Sequence, residues 1–89
     1  MTVGLIIGAI LVVDDNEMNR DMLSRRLSRE GFQVDTANDG SQAWDKVQFT
    51  DYDLVLLDIQ MPVMDGHEVL KRMKQHDAVR NIPVIVISA

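Results

Sequence analysis

The sequence predicts an α/β protein built on a doubly wound parallel sheet, and three observations predict it. Two runs, Val55-Leu56-Leu57 and Val84-Ile85-Val86-Ile87, are apolar without alternation, as in strands covered on both faces. Stretches with apolar residues at helical spacing lie between the strand candidates, giving the order strand, helix, strand, helix, strand, helix, strand. Acidic or hydroxyl residues end the first, third and fourth strands, on the rim where open parallel sheets gather their ligands.

Length and composition bound the reading. Eighty-nine residues suffice for one core and not for two. At 46% apolar and 26% charged the chain is ordinary for a globular protein, which sets disordered and fibrous classes aside. It has no cysteine, hence no disulfide and no thiolate metal site, in keeping with a reducing cytoplasmic location. A net charge of −5 argues against nucleic-acid binding, which needs clustered Lys and Arg.

The N-terminus is the most apolar stretch, from Val3 to Val13. It is too short for a bilayer span of about 20 residues, and no membrane association is expected. A signal peptide would need a basic residue before the run and a small-residue cleavage site after it, but here Asp14-Asp15 follows. Residues 1–8 are accordingly read as an apolar lead-in, and residues 9–89 as the domain.

The first strand is placed at residues 9–14. Asn16 is the expected cap of the first helix, with Glu17 in its first turn where the helix dipole favours an acid. Met18, Met22, Leu23 and Leu27 recur near helical spacing as its apolar face, with Arg20, Asp21, Arg25, Arg26 and Arg29 mostly opposite. Gly31 ends it in a left-handed conformation. Phe32, Val34 and Thr36 alternate with Gln33 and Asp35, predicting a half-exposed edge strand.

Asn38-Asp39-Gly40 is turn chemistry, and Asp39 with Gln42 makes a capping box for a helix over 40–48 that buries Ala43, Trp44 and Val47. Trp44 and Phe49 are both read as packing residues. The third strand ends at Leu57, which makes Asp58 the first residue past the core. Asp65 and Glu68 repeat the capping pattern for a helix from Gly66 to Gln75 that buries Val69, Leu70 and Met73. His67 and His76 lack a ligand-spaced partner and are assigned to the surface. Asn81-Ile82-Pro83 breaks the chain before the buried strand 84–87, which ends on Ser88.

If the first and third strands are neighbours, about 4.8 Å apart, their terminal carboxylates Asp14, Asp15 and Asp58 converge. Three such charges repel, so either some are protonated or a hard cation sits among them. With oxygen donors alone, Mg²⁺ is the natural ion.

Leu11-Val12-Val13-Asp14-Asp15-Asn16 and the stretch from Leu56 to Gly66, including Asp58-Ile59-Gln60-Met61-Pro62, resemble the receiver domain of two-component response regulators. The resemblance implies a flavodoxin-like five-stranded sheet. It further implies that Asp15, Asp58 and the Gln60 carbonyl bind Mg²⁺ directly, Asp14 acts through a water, Ser88 contacts the phosphoryl group, and Asp58 is the phosphoacceptor. The partner implied is a histidine kinase or phosphotransfer protein in a phosphorelay, and the module is a signalling acceptor rather than an enzyme with its own substrate.

A full receiver continues through a fourth helix, a fifth strand bearing a Lys, and a fifth helix. The resemblance covers residues 9–89, about two-thirds of that pattern, with four of the five βα units and neither the last helix nor the fifth strand. Lys46, Lys71 and Lys74 all lie on predicted helices, so none matches the family's Lys. A dehalogenase-like phosphatase would need an acid where Gln60 stands, and a dinucleotide-binding fold would need glycines where Asp14-Asp15-Asn16 stands. The remaining alternative is an assembly fragment without phosphotransfer, forming a homo-oligomer through the uncovered edge of strand 84–87.

Overall fold

The computed structural model describes residues 8–58 and 66–87. Its elements are β1 (Ala9–Val13), α1 (Glu17–Arg29), β2 (Gln33–Ala37), α2 (Gly40–Phe49), β3 (Leu54–Asp58), α3 (Gly66–Gln75) and β4 (Val84–Ile87). All pairings are parallel, in the order β2-β1-β3-β4. The chain steps from β1 to β2 in one direction and from β2 past β1 to β3 in the other. Right-handed crossovers then put α1 and α2 on opposite faces, which is the doubly wound arrangement expected. No helix among the described residues is long and apolar enough to cross a membrane.

Local chemistry explains where the elements stop. The Asn16 side chain accepts from the Asn19 N–H at 2.9 Å and Asp39 from Gln42 at 2.8 Å, so two helix N-termini are satisfied by residues just outside them. Gly31, at φ +97°, closes α1: its N–H donates to Ser28 O and that of Phe32 to Leu27 O, the paired bonds of a Schellman motif. At the opposite end of the sheet, Asp53 Oδ2 accepts from the N–H groups of Gly8 and Ala9, at 2.8 and 2.9 Å, and so binds the start of β1 to the start of β3.

The main core lies on the α2 and α3 side. Leu11, Val13, Val55 and Leu57 of the central strands meet Ala43, Val47, Tyr52, Val69, Met73 and Val79 there, with Trp44 and Leu70 packed against them. Fully burying one such aliphatic side chain is worth about 1.5–3 kcal/mol, so this layer dominates the fold's stability.

On the other face the expectations need correction. Met18 and Met22, assigned to the apolar face of α1, are 81% and 61% exposed, while Leu23, Leu27 and Arg20 are half-buried. The helix packs on β1 and β2 and lies rotated from the face that its methionines suggested. Because α1 leans toward the β2 edge, Leu56 is only half-buried, and Ile85, its neighbour on β4, is exposed. The strand 84–87, read as buried, is thus half-buried at Val84 and exposed over its other three residues. Phe49, read as packing, is 89% exposed at the last residue of α2. His76 is exposed as expected, though its ring meets Trp44 edge-on with centroids 4.8 Å apart.

Candidate functional site

Asp14 follows β1 directly, and almost every polar atom it owns is held. Its N–H donates to Ala37 O at 3.1 Å, extending the β1–β2 ladder by one bond. Its carbonyl accepts from Arg20 Nη1 at 2.9 Å, and its Oδ1 accepts from the Asn16 N–H, also at 2.9 Å. Asn16 in turn caps α1, so the turn between strand and helix is one hydrogen-bonded unit that leaves Asp14 buried and Asp15 exposed.

Asp58 arrives on the adjacent strand. Val13 is in register with Leu57, so Asp14 and Asp58 stand one residue beyond the same pair, with Asp58 half-buried as the last residue of β3 rather than the first beyond it. Carboxylate oxygens of Asp14, Asp15 and Asp58 lie within 4.8 Å of one another. No other group of three His or acidic side chains gathers this closely among the described residues.

The electrostatics follow from that crowding. Burial pushes the Asp14 carboxyl above the usual range. The Asn16 N–H opposes this by bonding the charged form, while the charges of Asp58 and Asp15 and a hydrogen bond with Asp58 raise it further. Three oxygen donors with an excess of negative charge suit a hard divalent cation. Across an octahedron with bonds of about 2.1 Å the ligand oxygens stand at most about 4.2 Å apart, close to the 4.8 Å within which this cluster gathers its oxygens.

The structure therefore brings together three of the five residues singled out from sequence. Ser88 and Gln60 lie outside the described residues, as do Asp65 and the lead-in 1–7. Arg20 was missed: the helical pattern put it on the solvated face, whereas its guanidinium reaches back to the strand end. The available signal was a long, forked donor one turn into a helix that directly follows a pair of acids.

The family model for the response regulator receiver domain matches residues 10–89. The response regulator PleD of Caulobacter vibrioides is 42% identical over 80 residues, covering 90% of this chain and 18% of that protein. The sensor protein EvgS of Escherichia coli is 38% identical over 81 residues, covering 91% of this chain and 7% of that one. The response regulator protein TrrA of Thermotoga maritima, solved in complex with Mg²⁺-BeF, superposes with a TM-score of 0.85 at 38% identity, over 92% of this chain and 70% of that one. The chain thus spans less than a fifth of these two curated relatives' length.

Proposed function

The chain belongs to the response regulator receiver domain family of two-component signalling, and from that premise we propose that it accepts a phosphoryl group on Asp58 from a histidine kinase or phosphotransfer protein, in the cytoplasm. The observation that carries the proposal is the convergence of Asp14, Asp15 and Asp58 at the ends of two adjacent parallel strands.

In this reading residues 9–89 are the partial receiver and residues 1–8 precede it. Asp58 Oδ attacks the phosphorus, the bond from phosphorus to the donor's imidazole nitrogen breaks, and the product is an acyl phosphate on Asp58 with the nitrogen pair returned to the donor. Asp15, Asp58 and the Gln60 carbonyl would hold Mg²⁺, with Asp14 acting through water. The ion, when bound, supplies the neutralisation that lets an anionic carboxylate approach an anionic phosphoryl group. Asp14 is fixed for that role through its N–H, its carbonyl and one carboxylate oxygen. Ser88 would donate its hydroxyl to a phosphoryl oxygen. The module receives a signal, and its new charge can bias a two-state surface.

The test is intact-mass measurement after incubation with Mg²⁺ and a small acyl phosphate. A single phosphoryl addition, sensitive to hydroxylamine and absent in Asp58→Asn, is expected. An addition that survives in Asp58→Asn would overturn the assignment.

A further inference from the structure

We infer that Arg20 is a positioning residue for the cation site, acting through the Asp14 carbonyl. The inference rests on the Mg²⁺ reading above and assigns a role to a residue outside the acidic cluster.

The carbonyl that Arg20 binds belongs to the peptide joining Asp14 to Asp15, and Arg20 Nη1 meets it at 2.9 Å. Rotation of that peptide plane would swing the Asp15 side chain relative to Asp14. The other anchors described for the turn act on its two flanks: the Asp14 N–H on Ala37 O, the Asn16 N–H on Asp14 Oδ1, the Asp14 carboxyl on Asp58, the Asn16 side chain on the Asn19 N–H, and the Arg20 N–H on Asn16 O. Among the described contacts, the guanidinium alone holds the linking carbonyl. Arg20 is half-buried and sits in the first turns of α1, so the helix that packs on β1 and β2 also fixes where the donor starts.

Two effects of Arg20 oppose each other and can be separated. Its positive charge near the site disfavours a divalent cation, whereas its hydrogen bond favours binding by setting the angle between Asp14 and Asp15. The planar fork of Arg holds a carbonyl in one geometry, which the ammonium of Lys, on a flexible stem, does not. Ion choice separates them further. Mg²⁺ demands nearly ideal octahedral geometry, and Ca²⁺ tolerates irregular ligands, so loss of positioning penalises Mg²⁺ more.

The experiment is calorimetric titration of the full chain with Mg²⁺ and, separately, with Ca²⁺. Arg20→Lys keeps the charge and should weaken Mg²⁺ binding about tenfold, the lower end for loss of an outer partner of a metal ligand, while Ca²⁺ changes less than about threefold. Arg20→Met removes the charge and should still bind Mg²⁺ more weakly than the parent. Arg25→Lys, on an exposed residue paired with Asp21 at 3.2 Å, serves as the control and should leave both ions unaffected. Unaltered Mg²⁺ affinity in Arg20→Lys, an equal loss for both ions, or tighter Mg²⁺ binding in Arg20→Met would overturn the inference while leaving the Mg²⁺ reading intact. A parent chain that binds no Mg²⁺ would overturn both.

Discussion

The Tyr52 hydroxyl donates a 2.7 Å hydrogen bond to Asp35 Oδ2, tying the loop before β3 to edge strand β2 over a separation of 17 residues. Burial, then this bond and the Asp35 charge, push the Tyr52 phenol up to about 12. An ionised phenol could not donate. The folded chain thus holds the Tyr52 proton more tightly than the unfolded chain, whose pKa is about 10. The stabilisation is complete below pH 10 and is lost as pH rises toward 12. Tyr52→Phe should cost about 1 kcal/mol at pH 7 in urea unfolding and should remove the extra decline of the parent above pH 10.

The acidic cluster should destabilise the ion-free fold. Unit charges 4.8 Å apart repel by about 1 kcal/mol even at the dielectric constant of water. Asp58→Asn should therefore raise the unfolding midpoint in the presence of a chelator and abolish stabilisation by Mg²⁺. The pH dependence has a definite sign: the raised Asp14 carboxyl means that the folded chain binds more protons, so its contribution declines as pH rises from the usual carboxylate range through the raised value. Thermal melts with chelator between pH 4 and 7, parent against Asp14→Asn, read it directly.

Ile85, Val86 and Ile87 are exposed on the outermost strand of the described sheet, at 53%, 44% and 36%. An uncharged, β-branched edge is a template for strand pairing. Sedimentation across a concentration series should show self-association of these 89 residues, and Ile85→Lys should reduce it without lowering the unfolding free energy by more than about 0.5 kcal/mol. A parent that stays monomeric at high concentration would refute the edge as a contact.

Gly31 at φ +97° should tolerate no side chain cheaply, although nothing lies within 4 Å of where a Cβ would stand. Gly31→Ala is expected to cost about 1–2 kcal/mol through backbone strain alone. Gly31→Asn, which adopts the left-handed region more readily, should cost less. Chemical denaturation of the two variants side by side checks the order.

Sequence alone determined the elements and, to within a residue, their ends, because those depend on neighbours along the chain. Asn16 and Asp39 cap their helices by accepting from N–H groups three residues on, Gly31 supplies a backbone angle other residues resist, and unbroken apolar runs mark β1 and β3. The site acids were legible for the same reason, since each ends an apolar run. What only the tertiary structure decided is where faces point and which distant groups meet. Strand order brings Asp14 beside Asp58, and the lean of α1 toward β2 exposes Met18, Met22 and Ile85 while turning Arg20 inward. Tyr52 finds Asp35, and Asp53 finds Gly8, across separations that no local period encodes. A helix's spacing fixes which residues share a stripe, but the rotation of that stripe is set by packing against strands far along the chain, and that rotation put Arg20 against the Asp14 carbonyl.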